Sequence, residues 1–187
     1  AFTLCRKYMA PSVAIEPALR VGPAMREPVA LDAPRLIDLV ARAETTFLGS
    51  LSRAGMPDVA HRGGKPGFLK YDPRARRLSW TEYVGDGVFK SAGNIRATKT
   101  MALLAIDLET GEGAALFGHA EYETTYTKGQ PRTDALVQHE KDFPSQGVMT
   151  CRIERAERLP SLLHPRERIE RAPRITSRSA VAEQMPR

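Results

Sequence analysis

The densest chemistry in the sequence lies in one run, Asp58-Val59-Ala60-His61-Arg62-Gly63-Gly64-Lys65-Pro66-Gly67-Phe68-Leu69-Lys70. Three glycines among His61, Arg62, Lys65 and Lys70 at a strand end suit a phosphate or a planar ligand. Glycine lets backbone N–H groups come close, and arginine offers a planar fork to two oxygens. A glycine-rich β-turn with solvated charges is the plainer reading of the same segment. The run is no P-loop, since GxxxxGK[ST] is absent, and no GxGxxG opens a βαβ unit. A second run, Trp80 to Ile95, sets Lys90 and Ser91 at the start of a short helix. A cation, a hydroxyl and unpaired helix N–H groups there make an anion site.

Other chemistry is sparse. His119, His139 and His164 lack metal-ligand spacing and read as ordinary surface or strand residues, so no metal site is expected. Glu109 and Glu112 share a turn, which argues against paired-carboxylate catalysis. Cys5 and Cys151 are far apart and form no CxxC pair, so neither a zinc site nor a disulfide framework is indicated, and a cytoplasmic setting is expected.

The elements that must position these groups fit in one domain, since 187 residues with 42% hydrophobic and 27% charged content support a single core. The longest apolar run, Met101 to Ile106, is strand-sized, and no stretch approaches the roughly 20 residues of a membrane span. The net charge of +6 brings nucleic acid to mind, but most of it belongs to two proline-punctuated arms. Residues 1–29 hold four basic against two acidic groups, and 160–187 hold six against three. Aromatic residues make up only 6%, and the arms lack the aromatic interleaving of a single-strand binder, so no nucleic-acid partner is expected. Within the domain the positive excess is local: nine basic against four acidic residues over 58–100. That suits one anion site better than a nucleic-acid stripe.

A helix is expected from Ala33 to Ala43, with Asp32 as N-cap and Leu36, Ile37, Leu39 and Val40 at helical spacing. Strands follow at Phe47–Leu51, Pro57–His61, Phe68–Tyr71, Leu78–Tyr83, Met101–Leu108, Ala114–Glu123 and Val148–Arg155, with turn signals between them. Short helices are expected at Ser91–Ala97 and Asp134–Lys141. The pattern is a mainly β (α+β) fold, a small antiparallel barrel with helices over its openings. It divides as an N-terminal arm (1–30), the barrel domain (31–159) and a basic C-terminal arm (160–187).

Gly64-Lys65-Pro66-Gly67-Phe68, then Trp80 to Gly87, then Lys90-Ser91-Ala92-Gly93-Asn94, then Met101 to Asp107, and finally Gly118-His119-Ala120-Glu121 occur in that order. Together they resemble the FMN-binding split-barrel family, pyridoxamine 5′-phosphate oxidase-like, in its flavin-nucleotide-binding branch. The likeness covers about Ala43 to Glu123, roughly four tenths of the chain. It implies a six-stranded split barrel, a homodimer with FMN at the subunit interface, and a small-molecule substrate. By position it implies Arg62, Lys70, Lys90 and Ser91 as phosphate ligands, with His61, Gly63, Gly64, Trp80, Thr81 and Asn94 along the ribityl chain and ring. His61 is read as structural or as a donor to a flavin carbonyl or substrate.

The sequence departs from the oxidase proper at Phe89-Lys90-Ser91, where that enzyme has an S-R-K triplet, and no R-x-H motif follows near the C-terminus. Vitamin B6 oxidation is therefore not the expected reaction. The expected function is an oxidoreductase passing hydride or electrons through flavin. The alternatives are the deazaflavin F420 on the same barrel, and a non-catalytic carrier of flavin or haem.

Overall fold

The computed structural model describes residues 13–15, 25–83, 90–124, 126–127, 130–131, 145–160, 162 and 165–168. The order is β1 (Val13–Ile15), β2 (Glu27–Val29), α1 (Pro34–Arg42), β3 (Thr45–Leu51), β4 (Pro57–Gly63), β5 (Lys70–Asp72), β6 (Arg77–Tyr83) and α2 (Lys90–Thr98). Then come β7 (Thr100–Ile106), β8 (Gly113–Thr124), β9 (Tyr126–Thr127), β10 (Gln130–Pro131), β11 (Ser145–Leu159) and β12 (Pro165–Arg168). The expected helix at Asp134–Lys141 and the segment Val84–Phe89 lie outside the described residues, as does most of both arms.

Six long strands, β3, β4, β6, β7, β8 and β11, carry an eight-stranded antiparallel sheet in the order β4-β3-β7-β8-β11-β6-β5, and β2 pairs with β11. β4 and β6 stand near opposite ends of that order, yet Arg62 on β4 donates from Nε to Glu82 Oε1 on β6 at 2.7 Å. The sheet therefore rolls until its ends meet through side chains and leaves the barrel split along that seam. This is the expected six-stranded split barrel, extended by two short strands.

Alternation explains the strands. Leu48 on β3, Leu78 and Trp80 on β6, Leu103 on β7, Leu116 on β8 and Met149 on β11 fill the interior at every second position, each no more than 3% exposed. Cys151 is among them, and burial pushes its thiol far above the usual range, so it stays protonated. Helix α1 adds Leu36, Leu39 and Val40, three buried side chains at i, i+3 and i+4. Burying each contributes about 1.5–3 kcal/mol.

Two expectations shift. The helix begins at Pro34 with Ala33 in the N-cap position and no side-chain cap, so Asp32 is not the N-cap. Proline at the first helical position fixes φ and lacks one of the N–H groups that a cap would satisfy. The strand expected at Phe68–Tyr71 starts at Lys70 instead. Gly67 N donates to Ala41 O at the end of α1, and Phe68 N closes a turn on Lys65 O, which uses those residues for docking.

Turn chemistry sets the hairpins. Asp72 Oδ1 accepts from the N–H groups of Arg74 and Ala75, and Asp107 Oδ1 accepts from those of Glu109 and Thr110. On β11 the register with β8 shifts between Ile153 and Arg155, leaving Glu154 as a bulge. Here β11 changes neighbour, from β6 up to Arg152 to β2 from Ala156. Gly118 faces the bulge, and a Cβ there would sit 2.0 Å from Arg152 O, so only glycine fits. Described pieces of the two arms pair with each other: β1 runs antiparallel to β12.

Candidate cofactor site

Helix α2 is pinned to the β3–β4 hairpin by side chains on one face. Asn94 Nδ2 donates to Ser50 Oγ at 3.1 Å, Thr98 Oγ1 donates to Leu51 O at 3.2 Å, and Ile95 is fully buried. This brings the helix start onto β4. Lys90 Nζ lies 2.8 Å from Asp58 Oδ1, and Ser91 Oγ lies 3.5 Å from Asp58 Oδ2. Ser91 is buried, Asp58 has 17% of its side chain exposed and Lys90 61%.

Asp58 also borders a groove of about 390 Å³ on the outer side of the sheet. Its floor is a cross-strand row, Val59–Gly49–Ala102–Phe117–Arg155, running over β4, β3, β7, β8 and β11. Gly49 and Ala102 make the middle of that row flat. Arg155 lies 3.7 Å from the centroid of the Phe117 ring, a cation–π contact that covers the far end. On the same border His119 Nε2 is 3.3 Å from Glu154 Oε1, the bulge residue.

The predicted residues fall into three groups. Lys90, Ser91 and Asn94 gather at the α2 end. The seam holds Arg62 and Trp80: Arg62 Nε and Trp80 Nε1 both donate to Glu82 Oε1 at 2.7 Å, and Arg62 NH1 donates to His61 O. Trp80 is 3% exposed and its ring lies in the core, so it borders no outer groove. Gly63 is buried at the end of β4. Gly64 is explained by a neighbour, since a Cβ there would meet Phe68 Cβ at 2.6 Å. His61 points to the other side of β4 and meets Phe47 edge-on at 5.8 Å between ring centroids. Burial, and then the Arg62 charge, hold its imidazole below the ordinary value.

Thr81 is half-buried on the outward side of β6, opposite Val148. Lys70 stands apart, exposed on β5 opposite Ser79, beside a second groove of about 340 Å³ shared with Ile37, Tyr71 and Arg77. The structure thus does not bring Lys70 together with Lys90 and Ser91.

Sequence reasoning passed over Asp58, Gly49, Ala102, Phe117 and the His119–Glu154 pair. Gly49 within an apolar strand was a usable signal, because glycine there marks a close approach. The other positions depend on register between distant strands.

In fold the molecule is similar to HupZ from Group A Streptococcus, with a TM-score of 0.50 at 17% identity over 72% of this chain and 98% of that one. The chain has the split-barrel fold. Solved structures of lower overlap include a pyridoxamine 5′-phosphate oxidase-related, FMN binding protein from Nostoc punctiforme, at TM-score 0.49 and 10% identity over 68% of this chain and 85% of that one. An F420 reductase matches at TM-score 0.41 and 15% identity, over 63% of this chain and 92% of that one. No family model matches the sequence, and no curated protein matches it. Among the described residues of this split barrel no helix is long and apolar enough to cross a membrane.

Proposed function

We propose that this split barrel binds a flavin nucleotide of the FMN type and works as an oxidoreductase on a small molecule. The observation that carries the reading is a pair of neighbouring features, an outer groove with a flat apolar floor and, beside it, Lys90 and the buried Ser91 gathered on Asp58, which borders that groove. A planar ring fits the floor of Gly49 and Ala102, and a phosphate fits Lys90 and Ser91, whose donors converge on Asp58. The motif order Gly64–Phe68, Trp80–Gly87, Lys90–Asn94 supports the same ligand. When bound, a flavin supplies hydride or single-electron transfer. The residues of the chain bind the tail, flatten the floor and exclude water.

A homodimer belongs to this reading. The outer face of the β3–β4 hairpin leaves Val59 68% exposed, with Leu51 and Phe47 at 38% and 37%, the turn beside it leaves Met56 66% exposed, and a second copy laid there would cover them and close the groove.

The test is the visible spectrum of protein reconstituted with FMN, with its mass in solution. A flavin spectrum on a dimer is expected, and a colourless protein after reconstitution refutes the reading. Replacing Lys90 and Ser91 together with Ala should weaken FMN binding by more than about tenfold, given roughly 1.5–3 kcal/mol per charge-assisted hydrogen bond. Anaerobic reduction of the bound flavin by NADH or NADPH distinguishes an oxidoreductase from a carrier.

A further inference from the structure

Lys90 and Ser91 already hold an anion, and it belongs to the chain. One oxygen of the Asp58 carboxylate faces Lys90 Nζ at 2.8 Å and the other faces Ser91 Oγ at 3.5 Å, as two oxygens of a phosphate would. The carboxylate is mostly covered and sits on the border of the groove. With Asp58 in place the cluster has no net positive charge, so the attraction that would draw in a phosphate is already used.

We infer that Asp58 is the specificity-determining residue of this site, an internal competitor that a ligand's phosphate must displace. The inference rests on the flavin-nucleotide reading and concerns the tail alone. Asp58 is the second residue of β4, next to the exposed turn at 52–56, and lies opposite Ser50 on the face that α2 covers, so a rotation of its side chain alone would release both donors without moving the strand. Until then it holds Lys90 and Ser91 in the arrangement that the phosphate will use. The displaced carboxylate stays close to the bound phosphate, and the two repel. The site therefore gains less from a phosphate tail than its donors alone would give, and it discriminates FMN from riboflavin weakly.

The experiment titrates FMN, riboflavin and inorganic phosphate into the full chain and into Asp58→Asn, Asp58→Ala and Asp58→Asn/Lys90→Ala. Both single variants should bind FMN about tenfold more tightly than the parent, equivalent to about 1.4 kcal/mol, with riboflavin unchanged within about twofold. Inorganic phosphate should tighten in the same direction, and removing Lys90 should abolish the gain. Using both Asn and Ala separates loss of charge from a new amide donor.

Unchanged or weaker FMN binding in both variants, with the Trp80 emission of the folded chain retained, overturns the inference and makes Asp58 a helix anchor. An equal gain for riboflavin also overturns it, since the effect then lies away from the tail. If no form binds either flavin, the flavin reading fails by itself. Phosphate then still decides the role of Asp58: tighter binding to Asp58→Asn upholds it, and equal binding refutes it.

Discussion

Replacing Arg62 with Ala should be among the most damaging single changes in the barrel. Glu82 is 4% exposed, and its Oε1 takes two donors at 2.7 Å, Arg62 Nε and Trp80 Nε1. Without Arg62 the buried carboxylate oxygen Glu82 Oε1 keeps, among the described residues, one neutral donor, Trp80 Nε1, and breaking such a pair costs about 3–5 kcal/mol. At about 2–4 °C per kcal/mol for a chain of this size, melting should fall by roughly 6–20 °C. Glu82→Gln keeps an acceptor for Trp80 and leaves the charge on Arg62, whose side chain is 22% exposed and can reach water, so it should cost about 1–3 kcal/mol. The double change Arg62→Met with Glu82→Gln leaves no buried charge and should recover most of the Arg62→Ala loss. Urea unfolding followed by tryptophan emission reads all three, because Trp80 is the chain's one tryptophan and bonds directly to Glu82. A loss under about 1 kcal/mol in Arg62→Ala, or a double variant no more stable than it, would refute the claim that this ion pair closes the seam.

Two further outcomes follow from the same geometry. His61 is held below its ordinary pKa of 6.5, so as pH falls through that value the unfolded chain takes up the proton first. The unfolded state then binds more protons and stability declines, levelling off once folded His61 also protonates. Urea midpoints at about pH 7.5 and about pH 5.5 should therefore differ less in His61→Gln than in the parent, and an equal difference would remove His61 from the acid response. Gly118→Ala would put a methyl 2.0 Å from Arg152 O in the backbone of the β11 bulge. It should cost about 3 kcal/mol or lose the fold, whereas Gly93→Ala, with nothing within 4 Å of the added methyl, should be tolerated. Thermal melts of the two variants check this.

The long strands were legible because inward and outward residues alternate over seven or more positions, as in Leu78, Trp80 and Glu82. Legibility failed where that period breaks. β11 runs from Ser145 to Leu159, past the expected Arg155, because the Glu154 bulge reverses the parity and puts Ala156 inside where Met149, Cys151 and Ile153 were before it. Glu27-Pro28-Val29 has no pattern of its own and becomes a strand only because β11 offers a free edge beyond Arg152. Lys70 was grouped with Lys90 by its position in the family pattern, while the fold sets it on β5 opposite Ser79, beside a second groove that neither Lys90 nor Ser91 lines.

The same limit applies to charge. Residues 58–100 carry nine basic against four acidic groups, and a sum cannot tell which cations are committed. In the fold Arg62 goes to Glu82, Lys99 to Glu121 and Lys90 to Asp58. An anion site inferred from donors alone is therefore incomplete until its acceptor is known. Here the acceptor lies 32 residues before Lys90 and meets it only because α2 docks on the β3–β4 hairpin. Asp58 opens the very run that first suggested a phosphate site, yet it was counted there as a charge to subtract. Its place between Lys90 and Ser91 makes it part of the chemistry, since a phosphate gains those two donors only after the carboxylate has released them.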